Sequence, residues 1–398
     1  MKLILHCGEG KTGSSSIQKM LKDSSKKLLE KNILYYCEGS DQNVLSYISG
    51  RRHRVPEDQD KLLIARMETM VANIKNLAKQ LEPNYVILSS ERFFSLTLDD
   101  IKKMIDYLGI AFTETYCIVY VRSPDDFYLS RTQQKVKASH KIPNPFAYKR
   151  DIASPLMTWR NFVGASNFMG TIFDREALFK GDVVADFIEK IEKITQENIE
   201  VKKWSSENES ITAEQMVLLQ EYRRDFLRDF NNQFMPSSSI LLKFFLEINA
   251  LKKFGSKSEL KAEIKEAILF NNKETIASAN KILSGPSKLN CIDLSKNPHL
   301  PASWDGKRIG KVKDILSSFD NVTYRTFKKI IIEYNESLKP GFERYLSAFN
   351  DDERTKEQAA NIYFNYLKSN DYFSTAQLNE CNDSRGVGHV QMLKTLLQ

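Results

Sequence analysis

The chain has 398 residues, of which 41% are hydrophobic and 27% are charged, a composition typical of a globular protein with one large domain or two. Its formal net charge of +7 suits anionic ligands but is too small for a chain of this length to indicate a nucleic-acid-binding protein. No run approaches the ~20 apolar residues of a membrane span, and the apolar N-terminal run is too short for a signal peptide, so we expect a soluble protein without a transmembrane segment.

The cysteines are scattered along the chain, at positions 7, 37, 117, 291 and 381. No pair has the spacing of metal ligands, and Cys7 and Cys117 lie in apolar, strand-like runs. This pattern predicts reduced, buried thiols in a reducing compartment. Together with the missing anchor it favours the cytoplasm.

The first 200 residues alternate between short apolar runs and amphipathic stretches. The apolar runs predict five strands, at 3–7, 33–37, 85–88, 115–121 and 168–173. Apolar residues three and four apart predict helices between them, from 14 to about 29 and at 62–81, 101–108, 124–137 and 183–194. Strands that alternate with helices imply an α/β fold, a three-layer sandwich with a central parallel sheet. Ligands of such sheets bind at the carboxyl ends of the strands.

Beyond about residue 205 the pattern becomes helical. Helices are predicted at 211–230, 238–253, 258–283, 323–348 and 357–367, and the Pro-, Ser- and Gly-rich stretch 285–308 predicts a loop. We therefore expect an α/β core over residues 1–205, a helical continuation over 206–350 and a helical tail over 351–398.

The first strand leads into Gly-x-Gly-Lys-Thr-Gly over residues 8–13, a pattern that favours an anion-binding loop. Small residues such as Gly10 and Gly13 let backbone N–H groups approach phosphate oxygens, and Lys11 adds a full positive charge. Thr12 and the serines at 14–16 add hydroxyl donors at the start of the helix. A Walker A loop would need a glycine where Leu5 stands. The alternative is a glycine-rich turn with an exposed lysine.

A second element follows the fourth strand. Arg122 lies at the end of that strand, and Ser130 comes eight residues later on the next helix. A guanidinium and a hydroxyl placed in this way can converge on one phosphate group. The alternative is a surface turn with an ordinary helical serine.

Residues 6–18 and 118–130 together resemble the bacterial-type sulfotransferases that use PAPS (3′-phosphoadenosine 5′-phosphosulfate). The first loop of that family reads roughly His-x-Gly-x-x-Lys-Thr-Gly-Thr-Thr-Ser-Ile-Gln, and Ser14 and Ser15 here keep the hydroxyls of the two threonines. The resemblance covers residues 2–225 in order and does not reach the tail. It implies a P-loop-like fold, with the 5′-phosphosulfate held by Gly10, Lys11, Thr12, Gly13, Ser14, Ser15 and Ser16. It also implies a 3′-phosphate site formed by Arg122 and Ser130.

Three residues are candidates for the general base that an acceptor hydroxyl needs. Glu91 follows the third strand and is the first choice, since some carbohydrate sulfotransferases use a glutamate; the alternative is an ion pair with Arg92 or a nearby lysine. His53 is second, because the arginines beside it in the basic run 51–54 would depress its pKa. That run could equally bind an anionic acceptor. Glu38, at the end of the second strand, is third.

The sequence therefore predicts sulfuryl transfer from PAPS to an acceptor hydroxyl, with a sugar or glycan as the expected acceptor. Lys11 would neutralise the leaving oxygens, and neither a metal ion nor nucleic acid is expected. One alternative is an ATP- or GTP-dependent kinase in which Asp174 binds magnesium. Another is a non-catalytic nucleotide-binding module. The sequence predicts no oligomeric state.

Overall fold

The computed structural model describes residues 1–39, 41–50, 57–201, 211–235, 255–285, 287–293 and 300–328, with isolated positions between 238 and 249. The chain forms two compact units, each assembled from separate segments. The first unit contains Met1–Phe127, Tyr148–Glu207 and Ile268–Ser303, and the second contains Tyr128–Ala147, Asn208–Ala267 and Trp304–Gln398. The predicted boundaries at residues 205 and 350 stay predictions.

The first unit is built on a five-stranded, all-parallel sheet, which confirms the predicted α/β class. The strands are β1 (Lys2–His6), β2 (Ile33–Leu34), β3 (Tyr85–Ser89), β4 (Glu114–Val121) and β5 (Phe168–Ile172), in the order β2-β3-β1-β4-β5. The central strand β1 pairs with β3 on one side and β4 on the other, with His6 opposite Ser89 and Ile118.

Helices make up much of the rest of the described chain. They are α1 (Ser14–Asp23), α2 (Ser25–Glu30), α3 (Glu57–Leu81), α4 (Leu98–Leu108), α5 (Pro124–Val136), α6 (Ala153–Val163), α7 (Val183–Thr195), α8 (Ala213–Phe226), α9 (Ala262–Asn271), α10 (Lys273–Ile282), α11 (Leu300–Ser303) and α12 (Val312–Ile315). Local signals fix several ends: Thr97 and Asp100 form a capping box at α4, and the Asp182 carboxylate accepts the Val184 and Ala185 amides at α7. None of the helices in the described part of the chain is long and apolar enough to cross a membrane.

Two apolar layers sandwich the sheet, because successive side chains of a strand point to opposite faces. Leu3 and Leu5 of β1 pack with α3, α4, α6 and α10, whereas Ile4 packs with α1, α2 and α7. Cys7 and Cys117 are buried as predicted, but Cys291 is exposed, so the expectation of buried thiols is wrong there.

The second strand is shorter than predicted, for a reason that lies in one side chain. The side-chain nitrogen of Gln42 donates a hydrogen bond to the Tyr36 carbonyl at 2.6 Å, and its side-chain oxygen accepts one from the backbone N–H of Ser89 at 2.6 Å. A side chain therefore replaces the backbone ladder beyond Leu34. The apolar run 33–37 has strand character, but only its first two residues pair with β3.

Two further differences from the predicted helices lie in the first unit. Helix α6 was not predicted; it buries Trp159, whose indole nitrogen donates to the Phe93 carbonyl at 3.2 Å. The helix predicted over 258–283 is divided at Asn272, whose side chain bonds to the Tyr148 carbonyl and the Arg150 amide. The helices predicted at 238–253, 323–348 and 357–367 lie wholly or mostly outside the described residues.

The second unit centres on α8. Thr212 and Gln215 form a capping box at its start. Glu214 is buried and accepts the amides of Ser256 and Asp320 at 2.9 and 3.0 Å. These contacts tie the helix to two later segments of the same unit.

Candidate functional site

The topology of the sheet places one crevice at the carboxyl ends of β1 and β4. The chain leaves β1 to reach β2 at one edge of the sheet, and it leaves β4 to reach β5 at the other edge. Neighbouring strands whose connections diverge in this way leave open the position where ligands of parallel sheets bind. The segments that follow these two strands are the two predicted nucleotide-binding elements.

The segment between β1 and α1, residues 7–13, is here called the anion loop. Its first half continues the parallel ladder, since the amides of Cys7 and Glu9 donate to the carbonyls of Ile118 and Tyr120 at 2.9 and 3.0 Å. The chain then turns, and the Thr12 hydroxyl and amide both donate to the Glu9 carbonyl. Lys11 and Gly13 have left-handed backbone conformations, with φ of 70° and 78°. The loop therefore has a defined, tightly turned shape.

Glycine is required at position 13 for two separate reasons. Its φ of 78° lies where a side chain is strained, and an added Cβ would lie 2.6 Å from Val183 Cγ1 and 3.1 Å from the Phe173 ring. Val183 and Phe173 therefore back the loop and leave no room for a methyl group at this turn.

We expect Gly13→Ala to lower the free energy of unfolding by about 2–4 kcal/mol, since it combines left-handed strain with overpacking. Gly50→Ala is the matched control: Gly50 has a similar φ of 77°, but no atom of the described residues lies within 4 Å of an added Cβ. Urea unfolding of the control should show the conformational cost alone, about 1–2 kcal/mol. Equal losses for the two variants would contradict the packing argument.

The N-terminus of α1 completes the anion loop. The amides of Ser16 and Ile17 bond to the Gly13 carbonyl, whereas those of Ser14 and Ser15 have no backbone acceptor within the described chain. Ser15 and Ser16 are exposed. Unbonded amides and the helix dipole give this end a partial positive charge, and the exposed Lys11 side chain adds a full one.

Glu91, the first-choice base, lies beside this loop. It begins a short 3₁₀ helix directly after β3, and the Ser14 hydroxyl donates to its Oε2 at 3.4 Å. A Cβ added at Gly10 would lie 3.8 Å from the same oxygen. Gln18 fixes the strand end, because its amide donates to the Ser89 carbonyl at 2.9 Å. The structure thus brings Glu91 and the anion loop together.

Arg122 lies at the end of β4, next to the loop. Its guanidinium carbon is 4.6 Å from the centroid of the Phe173 ring, and its amide donates to Glu9 Oε2 at 3.2 Å. Burial lowers the pKa of Arg122, while the charges of Asp126 and Asp174 raise it. Ser130 is half-buried on α5, and its convergence with Arg122 stays a prediction.

The remaining candidates are placed less favourably or are not described. Glu38 is bonded to the Tyr36 hydroxyl and the Asn73 amide, each at 2.8 Å, which indicates a structural role. His53 lies outside the described residues. His6 is a packed residue behind the loop: it bonds to Ser89 Oγ at 2.7 Å, and burial lowers its pKa to about 3.

Sequence reasoning missed two residues of the crevice, Glu9 and Arg150. Their side chains form a buried ion pair, with 7% and 9% of their surfaces exposed. Glu9 is the x of the Gly-x-Gly pattern, a position to which the loop pattern assigns no role. Arg150 is 141 positions away, in a stretch with no strand or helix pattern, so no local signal connects the two.

A cavity of about 230 Å³ opens beside the ends of β4 and β5. Among its lining residues are the carboxylates Asp126, Asp174 and Glu176, together with Lys288. Three carboxylates disfavour an anion inside the cavity. An anionic ligand would therefore be better accommodated at the anion loop than in this cavity.

Comparison with known proteins adds little to this geometry. No protein-family model matches the chain, and no solved structure matches it. A stretch of 108 residues is 29% identical to an uncharacterized protein of Archaeoglobus fulgidus, and it covers 27% of this chain and 30% of that relative. The matched part is thus less than a third of the relative's length, and function has to be inferred from the site.

Proposed function

We propose that the protein is a PAPS-dependent sulfotransferase whose crevice is a P-loop-like nucleotide site. One observation carries the proposal: two cation-bearing elements, the anion loop with Lys11 and the β4 end with Arg122, follow adjacent parallel strands. PAPS carries anionic groups at both its 5′ and its 3′ positions, whereas ATP and GTP carry theirs at the 5′ position alone. Two neighbouring anion sites therefore suit PAPS better.

The surroundings of Arg122 support a fit to the 3′-phosphate. The Arg122 side chain is half-buried against Phe173, and burial lowers the pKa of its guanidinium although the charges of Asp126 and Asp174 raise it. A desolvated guanidinium is stabilised by an anionic partner. In the proposed complex that partner is the 3′-phosphate, with the Ser130 hydroxyl as a second donor.

The anion loop would hold the 5′-phosphosulfate. Lys11 and the amides of Ser14 and Ser15 would donate to its oxygens, and Lys11 would neutralise charge on the leaving oxygen as the bond from sulfur to PAP breaks. Ser14 would link this group to Glu91 through its hydroxyl. Preorganised donors of this kind provide most of the stabilisation in group transfer between oxygens.

Glu91 would take the proton of the acceptor hydroxyl as its oxygen attacks the sulfur in line with the leaving oxygen. Its position at the end of β3, next to β1, places a carboxylate at the edge of the loop. A sugar hydroxyl is the proposed acceptor, and the basic run 51–54 suits a sugar that carries a negative charge.

Thermal-shift measurements with PAP, PAPS, ADP, ATP and GTP, with and without magnesium, test the proposal. We expect PAP to stabilise the protein without magnesium, and more than ADP does. Binding to the native state alone contributes about 2.7 kcal/mol at a hundredfold excess over Kd. Stabilisation by ATP or GTP that requires magnesium would favour the kinase alternative instead.

Arg122→Ala provides the internal control. Loss of a charge-assisted contact to the 3′-phosphate should weaken PAP binding by about 1.5–3 kcal/mol and leave ADP binding nearly unchanged. Arg325→Ala, which removes an exposed arginine of the second unit, should change neither affinity. Equal shifts from PAP and ADP in the wild type would remove the 3′-phosphate site from the proposal.

A further inference from the structure

We propose that Arg150 is a positioning residue of the anion loop, which acts by neutralising Glu9 and so keeps the loop attractive to anions. The identity of the anion, PAP or PAPS, rests on the proposed function. The charge relationship itself concerns only the loop and holds for other phosphate ligands.

The loop has no net charge of its own. Residues 8–13 contain one carboxylate, Glu9, and one cation, Lys11. A neutral loop would have only the partial charge of the α1 N-terminus with which to attract phosphate. A further cation is therefore needed if the loop is to carry a full positive charge.

Arg150 supplies that cation at the position where the carboxylate is buried. One Glu9 oxygen pairs with the Arg150 guanidinium, and the other accepts the Arg122 amide at 3.2 Å. Glu9 thus connects the anion loop to the end of β4 and to Arg150. A carboxylate with only 7% of its surface exposed needs such partners, because burial of an unpaired charge is strongly unfavourable.

The guanidinium is held in place from several sides. Its central carbon lies 3.7 Å from the centroid of the Phe127 ring, and the Arg150 amide donates to Asn272 Oδ1 at 2.8 Å. Burial lowers the pKa of Arg150 to about 9, so the side chain remains cationic at neutral pH. Its buried Nη1 has no hydrogen-bond partner among the described residues.

The proposal predicts an order of affinities that depends on charge. Arg150→Met leaves Glu9 uncompensated and should weaken PAP binding by about tenfold to a hundredfold at low salt. Glu9→Gln removes the negative charge and should bind PAP at least as tightly as the wild type. The double variant Glu9→Gln/Arg150→Met has the wild-type net charge and should return to within about threefold of its affinity. Arg150→Lys, which keeps the charge, should lose less than Arg150→Met.

A merely structural ion pair predicts a different order. In that case both single variants would lose affinity in proportion to their loss of stability, and the double variant would not recover binding. Urea unfolding without ligand therefore accompanies every binding measurement. Lys149→Met removes a neighbouring exposed cation and serves as the control for general electrostatic attraction.

The experiment is titration calorimetry of the full chain with PAP, ADP and inorganic pyrophosphate at two salt concentrations. Loss of affinity in Arg150→Met with recovery in the double variant, for pyrophosphate as well as PAP, would support the proposal. Comparable losses in Glu9→Gln and in the double variant would overturn it. Equal affinity of the wild type for PAP and ADP would instead overturn the sulfotransferase proposal. The affinities of the variants for pyrophosphate would still test whether Arg150 neutralises Glu9.

Discussion

Lys11→Ala is expected to abolish sulfuryl transfer and to change the free energy of unfolding by no more than about 0.5 kcal/mol. The side chain is exposed on the anion loop, so its removal leaves no buried cavity. In the proposed reaction it neutralises charge that develops on the leaving oxygen, and such contacts are worth most in the transition state. The measurement is transfer from PAPS under single-turnover conditions, with unfolding in urea beside it.

Lys19→Ala is the matched control, because Lys19 is an exposed lysine in the middle of α1, outside the anion loop. It should retain full activity. Activity of Lys11→Ala within tenfold of the wild type would show that the anion loop does not carry the reaction. A large loss in both variants would point to a general effect of charge on α1.

Glu91→Gln is expected to lower kcat by roughly 10²–10⁴ while PAP affinity stays nearly unchanged. Glutamine keeps the size of the side chain and an oxygen that can accept the Ser14 hydroxyl, but it cannot take up a proton. The loss should therefore appear in kcat at saturating PAPS, because the nucleotide contacts remain. Initial rates with saturating PAPS and varied acceptor measure it.

His53→Ala and Glu38→Gln complete this comparison. If His53→Ala carried the loss in kcat and Glu91→Gln were mild, the base would be His53. A rise in acceptor KM alone for His53→Ala would assign the run 51–54 to acceptor recognition. Glu38→Gln should mainly reduce stability, since Glu38 is bonded to Tyr36 and Asn73. Near-normal kcat in all three variants would exclude each of them as the base.

The parts of the fold that local pattern controls were predictable from the sequence. The five strands, the loop after β1 and the position of Arg122 after β4 follow from apolar runs and from the residues that end them. The position of the candidate residues at adjacent strand ends was predictable because parallel strands end at one edge of the sheet. Glu91 beside the loop follows from the same reasoning.

The features that escaped prediction depend on side chains distant in sequence. The Gln42 side chain bonds to the Ser89 backbone where a residue of β2 would otherwise pair with β3. The apolar pattern of the sequence does not indicate this contact. Asn272 divides a continuous helical pattern because its side chain binds the backbone near Arg150. The pairing of Glu9 with Arg150 likewise spans 141 positions, and a single sequence gives no information about such a contact.

The fit of Gly13 against α7 limits how the protein can vary during evolution. The position is restricted twice, by the left-handed backbone and by the Val183 methyl that faces it. A smaller residue at 183 would relieve the closest contact but would leave the Phe173 ring at 3.1 Å and the left-handed backbone. The two positions therefore do not constrain each other equally. A smaller side chain at position 183 is compatible with glycine at position 13, whereas a larger side chain at position 13 is unfavourable even when the side chain at 183 is small. The helix can diverge among descendants of this sequence while the turn of the anion loop stays glycine.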